Sequence, residues 1–164
     1  MVQRHYPRVK TIIQKKGLNW LQTGDLNNGL ITETSKKITP KAVDECKMKF
    51  YPIHSVVIAM YGATIGKVGL LDIETATNQA CCIIVPSKRI CPKYTFYSFI
   101  IAKEELLLSS FGGGQPNISQ DIIRKLKVPV PPLSEQQSIA SYLDVKTEKI
   151  DKMMLRQKKK NRIP

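Results

Sequence analysis

Asp25, followed by Glu45-Cys46-Lys47, is the closest approach in this sequence to a hydrolytic centre. An upstream Asp and a Glu-x-Lys on a strand would let two carboxylates hold a hydrated magnesium beside a lysine that assists the attacking water. The surrounding stretch Lys41 to Lys49 reads as a charged helix or loop, which argues against a nuclease. Gly62-Ala63-Thr64-Ile65-Gly66-Lys67-Val68 suggests a phosphate loop, but that loop needs four residues between its glycines and a Ser or Thr after the Lys. This sequence has three residues and a Val, so a hairpin turn is expected, its glycines permitting positive φ or close backbone approach. Val130-Pro131-Pro132-Leu133 has the prolines of a base methyltransferase motif without its polar residue or its aromatic, and reads as a linker. Neither His5 nor His54 pairs with a Ser or Cys in a nucleophile setting. Cys46, Cys81, Cys82 and Cys91 contain no C-x-x-C pair, so no zinc site is expected. No catalytic residue and no metal ligand is assigned.

What does suit nucleic acid is a series of polar side chains at turns: Gln22 and Thr23, Asn27 and Asn28, Tyr61 and Thr64 with Lys67 behind them, Asn78 and Gln79, Gln115 and Asn117. Asn and Gln can bond an adenine edge through two hydrogen bonds in the major groove, while Lys and Arg supply the attraction to phosphate that dominates affinity. Taken singly, each of these side chains is better explained as a turn stabiliser. The charge of the chain decides between the two readings. Lys and Arg number 26 against 13 Asp and Glu, a net +13, and such an excess points to a polyanionic partner. Arg4, Arg8, Lys10, Lys15 and Lys16 all precede the first acidic residue, and a second basic stretch runs from Lys146 to Arg162 with Lys158-Lys159-Lys160 near its end. Gln22, Thr23, Tyr61, Thr64, Lys67, Asn78, Gln115 and Asn117 are therefore the candidate DNA contacts.

The elements that must position these turns can be read from periodicity and breakers. Asn19 to Gly29 is dense in Gly, Asn and Asp and reads as a strand end and turn, with Trp20 as the core anchor beneath it in preference to a base-stacking role. Ser55 to Met60 and Lys67 to Leu71 read as buried strands joined by the Tyr61 to Gly66 turn. Ala80 to Val85 is a third strand, in which Cys81 and Cys82 are small core residues of a reduced protein. A helix is predicted from Pro92 to a stop at Gly112-Gly113-Gly114, with Tyr94, Tyr97, Ile101 and Leu108 on its stripe. Ser119 should cap a short helix carrying Ile122, Ile123 and Leu126. Beyond the extended Val128 to Pro132, Ser134 and Gln137 have capping-box spacing and should open a long helix. Ile139, Leu143, Ile150 and Met153 line one stripe of that helix and are its candidate interface residues, with Lys146 weakening the seam. The fold class is α+β: a mixed, β-rich domain over 1–132 with a few helices, then a C-terminal spacer or dimerisation helix with a basic tail over 133–164. Met1 to Lys16 lacks the apolar stretch of a signal peptide, and no run approaches the length of a membrane span, so a soluble cytoplasmic protein is expected.

Five segments carry a more specific message. Trp20 to Gly29, Tyr61 to Lys67, Ala76 to Ala80, Gly113 to Ile118 and Pro131 to Gln136 resemble, in order, the landmarks of a target-recognition domain from the specificity subunit of type I restriction-modification systems. The resemblance covers the chain from about Asn19 to its end. It implies a domain that reads half of a split target in double-stranded DNA and catalyses nothing itself. It also implies a long helix that docks a methyltransferase subunit, with a restriction or motor subunit joining for cleavage. S-adenosylmethionine, ATP and Mg2+ are then expected only in those partner subunits, and no cofactor in this chain. Two departures stand against the pattern. Family members hold two recognition domains where this chain holds one, and the usual opening strand is not recognisable in Met1 to Leu18. A half-subunit that forms a homodimer through its C-terminal helix, an exchanged cassette, or a truncated remnant that binds the methyltransferase subunit without reading sequence are the alternatives.

Overall fold

The computed structural model describes residues 13–14, 17–110 and 117–160. Its strands are β1 (Ile13–Gln14), β2 (Leu18–Leu21), β3 (Gly29–Ile31), β4 (Lys36–Ile38), β5 (Phe50–Tyr51), β6 (Val56–Ala59), β7 (Val68–Leu71), β8 (Thr75–Thr77) and β9 (Cys81–Ile84). The helices are α1 (Pro40–Cys46), α2 (Pro92–Ile101), α3 (Lys103–Leu108), α4 (Gln120–Lys125) and α5 (Leu133–Lys160). Five strands form one sheet in the order β1-β4-β2-β8-β5, and four form a second in the order β3-β7-β6-β9. Both sheets are mixed: β2 runs parallel to β8 and β3 parallel to β7, and the remaining pairs are antiparallel.

The near-continuous apolar run of β6 follows from its place between two layers. Val56, Ile58 and Met60 project into a core with Phe96 and Phe99 of α2, Leu106 of α3 and Ile123 of α4. Val57 and Ala59, on the alternate face, join Leu21, Leu26, Ile31, Leu71 and Cys81 in a core between the sheets. A strand covered on both faces must be apolar at every position, and all four residues of β6 are buried. The expected hairpin is present, with Val56, Val57 and Ile58 opposite Leu70, Gly69 and Val68. Gly69 falls mid-strand because there is no room for more: a Cβ there would lie 2.8 Å from Leu26 Cδ2 and 2.9 Å from Ile31 Cγ1.

Several expectations are corrected. Trp20 is not the anchor beneath its turn, because strand alternation sends Leu21 (0 % exposed) inward. Trp20 is half-buried, paired with Lys36 and Ala76, and its buried indole N–H has no partner among the described residues. Within the stretch where no family opening is recognisable, the two-residue strand β1 lies against β4 at Ile38 and Lys37. The predicted helix from Pro92 is broken at Ala102 into α2 and α3, and its buried stripe is Phe96, Phe99 and Leu106. Ile101 and Leu108 are exposed, and Tyr94 and Tyr97, although Tyr97 packs against the core, send their hydroxyls to Pro129 and Asp144, so the stripe they suggest does not continue along the buried face. The predicted stop at Gly112 to Gly114 lies outside the described residues. Ser119 caps α4 as expected, its Oγ accepting from Ile122 N at 3.2 Å.

Ser134 does not cap α5. The helix begins one residue earlier, with the Pro132 carbonyl accepting from the amides of Glu135 and Gln136 at 3.0 Å each. The start of the helix is tied down instead by Gln136, 1 % exposed, which donates from Nε2 to the Pro131 carbonyl at 2.8 Å. Its Oε1 accepts from Cys91 N at 2.9 Å, at the residue that caps α2. One buried amide thus fastens the starts of two helices to each other. Farther along, Tyr97 Oη donates to Asp144 Oδ1 at 2.8 Å and lies 3.2 Å from Thr147 Oγ1, while Lys93 pairs with the same Asp144. Among the described residues, no helix is long and apolar enough to cross a membrane.

Candidate nucleic-acid interface

Strand directions gather the polar turns at one end of the two sheets. In parallel β2 and β8, Leu21 is opposite Thr77, so Gln22 and Asn78 leave the sheet side by side. β6 ends at the same place, because Ala59 is opposite Cys81 and Met60 N donates to the Ala80 carbonyl at 2.8 Å. Tyr61 then forms an isolated antiparallel bridge with Asn117, and Ile118 N donates to the Met60 carbonyl at 2.9 Å. Gln22, Thr23, Tyr61, Thr64, Lys67, Asn78 and Asn117 therefore meet on one end of the molecule, although their positions span most of the sequence. Gln115 lies outside the described residues.

The local geometry separates scaffold from free side chains. Gln22 precedes a 3-10 turn over Thr23–Asp25 and donates its backbone N–H to Asp25 Oδ2 at 2.8 Å. The other carboxylate oxygen of Asp25 accepts from Ser35 N at 3.1 Å, so this group braces two loops. Asn78 Oδ1 accepts from Ala80 N at 3.3 Å, closing its own turn. Tyr61 Oη donates to the Gln79 carbonyl at 2.8 Å. Asn28, at φ 62°, clips β7, its Oδ1 accepting from Val68 N at 2.9 Å. Thr23, Thr64, Lys67 and Asn117, by contrast, make no side-chain hydrogen bond among the described residues, which leaves their polar atoms for a ligand. Gly62 and Gly66, at φ 74° and 73°, give the Tyr61 to Lys67 turn the shape that a non-glycine residue resists.

Two features here were missed in the sequence. Lys103 lies against the turn, its Cγ 3.0 Å from where a Gly66 Cβ would be, and adds a second positive charge beside Lys67. No periodicity signals that contact, which depends on the break at Ala102. The second is the charge of Asp25 acting on Cys81: burial, with smaller contributions from Asp25 and Cys82, pushes the Cys81 thiol up to about 12. The Glu45-Cys46-Lys47 segment lies on α1 and the following cap and not on a strand, and Glu45 pairs with Lys41 at 3.8 Å. No group of His, Cys, Asp and Glu able to hold a metal ion occurs among the described residues.

The candidate interface residues of α5 divide. Ile139 and Leu143 are half-buried and line, with Tyr97 and Ile101, a cavity of about 380 Å³ between α5 and the domain. They are domain contacts before they are a seam for another chain. Ile150 and Met153, 49 % and 60 % exposed, project beyond the domain with Met154 and Leu155.

The family model described as "Type I restriction modification DNA specificity domain" matches residues 3–164. The match begins ahead of Asn19 and takes in the segment where no family opening was recognisable. The chain is 28 % identical over 149 residues to the type I restriction enzyme MjaIX specificity subunit of Methanocaldococcus jannaschii, covering 88 % of this chain and 33 % of that protein. It is 26 % identical over 130 residues to the EcoR124I/EcoR124II specificity subunit of Escherichia coli, covering 76 % and 32 %. The crystal structure of the HsdS subunit from Thermoanaerobacter tengcongensis superposes with a TM-score of 0.68 at 18 % identity, over 92 % of this chain and 35 % of that one. The chain spans about a third of the length of the curated relatives it matches. It belongs to the type I restriction-modification DNA specificity domain family.

Proposed function

We propose, from the chain's membership of the type I specificity domain family, that it reads a short sequence in double-stranded DNA and is itself non-catalytic. It would act as the specificity component beside a methyltransferase subunit and a restriction subunit. S-adenosylmethionine, ATP and Mg2+ would then be bound by those partners. The observation that carries the reading is the convergence of Gln22, Thr23, Tyr61, Thr64, Lys67, Asn78 and Asn117 on one end of the sheets, with Lys103 beside them. Neutral amides and hydroxyls beside cations suit a duplex: phosphate attraction gives affinity and the side chains read base edges. Asn117, Thr64 and Thr23 are the reading residues in this account, while Asn78 and Tyr61 shape the turns that carry them.

A second reading keeps the family and gives up base recognition, with the chain acting as an assembly piece that binds the methyltransferase subunit through α5. It is favoured by the exposed apolar side chains Ile150, Met153, Met154 and Leu155, which suit a helical partner. A homodimer through the same face is a third arrangement of that surface. Selection from a random duplex pool at near-physiological salt, with and without the methyltransferase subunit, distinguishes them. An enriched motif supports base recognition. Binding of the subunit with no enrichment supports the assembly piece. Light scattering at high protein concentration tests the homodimer, which a monomer would contradict.

A further inference from the structure

We propose that the outward face of the distal half of α5 is a sequence-independent contact for the phosphate backbone of double-stranded DNA, lying on the same side of the molecule as the reading end. The inference rests on the reading above for its ligand and on separate observations for its place.

The first observation is direction. α2 runs toward the reading end, since Lys103, just past its last residue, lies against Gly66 of the Tyr61 turn. α5 runs alongside α2 in the same sense, because Gln136 is bonded at Cys91 while Asp144 and Thr147 are bonded at Tyr97. From Thr147 to Lys160, α5 rises ~20 Å, whereas α2 has only ~9 Å left between Tyr97 and Lys103, at ~1.5 Å per residue. The distal helix therefore overhangs the domain at its reading end.

The second observation is charge. Gln136, Ala140, Leu143 and Thr147 repeat at helical spacing on the face that packs toward α2. Lys149, Lys152 and Arg156 repeat at i, i+3 and i+7 on the opposite face, and all three are exposed. Lys152 is within 2.6 Å of Glu148, while Lys149 and Arg156 have no ion pair among the described residues. A stripe of cations roughly one helical turn apart matches the spacing of phosphates along a strand more closely than it matches a compact acidic site.

The test is the salt dependence of binding to a plain duplex of mixed sequence, measured by fluorescence anisotropy on the full chain. Each phosphate contact contributes ~0.9 to the slope of log affinity against log salt, so Lys149→Gln, Lys152→Gln and Arg156→Gln together should lower it by ~2 to 3. A control removing Lys41, Lys88 and Arg89, exposed residues at the opposite end, should leave the slope near that of the unaltered chain. Glu148→Gln, which frees Lys152, should tighten plain-duplex binding. Circular dichroism checks that the helix is intact in each variant. An unchanged slope in the α5 variant, or an equal fall in the control, overturns the proposal. A motif search reports separately on base recognition: a lowered slope with no enriched motif would keep this contact while removing the reading function.

Discussion

Replacing Gln136 by Leu isolates the clasp between the two helix starts. The side chain is 1 % exposed, and its amide serves Cys91 N at 2.9 Å and the Pro131 carbonyl at 2.8 Å. Leu fills similar volume, so little cavity forms and the loss is chiefly that of two hydrogen bonds. Cys91 and Pro131 are half-buried, which puts each orphaned group near the low end of the ~1–3 kcal/mol expected for an unsatisfied buried polar atom. The sum is about 2 kcal/mol. With a urea m-value of ~2 kcal/mol/M for a chain of this size, the unfolding midpoint should fall by ~1 M. Hydrogen exchange should report the same change locally, as lost protection of the Cys91 amide beyond the global effect. A midpoint shift under ~0.25 M, or a Cys91 amide exchanging as slowly as before relative to its neighbours, would refute the claim that Gln136 fastens α5 to α2, because ~0.5 kcal/mol is within what surface substitutions produce.

Gly69→Ala should cost ~1–3 kcal/mol in the same assay, since its Cβ would intrude on Leu26 and Ile31, and a neutral result would mean the two sheets are less closely packed there than 2.8 Å implies. Asn28→Gly should destabilise by ~1 kcal/mol, because glycine tolerates φ 62° but cannot accept from Val68 N; equal stability would show that the clip contributes nothing. The Cys81 thiol is raised from 9.0 to about 12 chiefly by burial, so the folded chain keeps a proton that the unfolded chain releases. Its contribution is full below about pH 9 and is lost as pH rises toward 12; the unaltered chain should therefore lose melting temperature faster than Cys81→Ala between pH 8 and 10.5, and parallel curves would contradict this.

The strands around the Tyr61 turn were legible because β6 and β7 are buried on both faces and leave an unbroken apolar run bounded by Gly. The short helix after Ser119 was legible because its cap is local. What the sequence did not reveal are features decided by tertiary contact. Tyr94 and Tyr97 look like a core stripe, yet their hydroxyls reach Pro129 and Asp144 on the side of α5. Ser134 has capping-box spacing, but the buried Gln136 finds better partners across the helix pair than a local box would supply. At the interface, the turn residues were identifiable by type, while their division into braced Asn78 and Tyr61 and unbonded Thr64 and Asn117 required the register of β6 against β9.

Base reading by the gathered end of the sheets is tested most directly by selection. A random-duplex selection should be run in parallel with the unaltered chain and with a variant carrying Thr23→Ala, Thr64→Ala and Asn117→Ala, each with the methyltransferase subunit present. These side chains are at turns and make no hydrogen bond among the described residues, so the fold should survive. The unaltered chain should enrich a defined motif, and the variant, with plain-duplex affinity retained, should enrich a weakened or different one. Recovery of the same motif at the same strength from both would contradict it and move base recognition elsewhere on the surface.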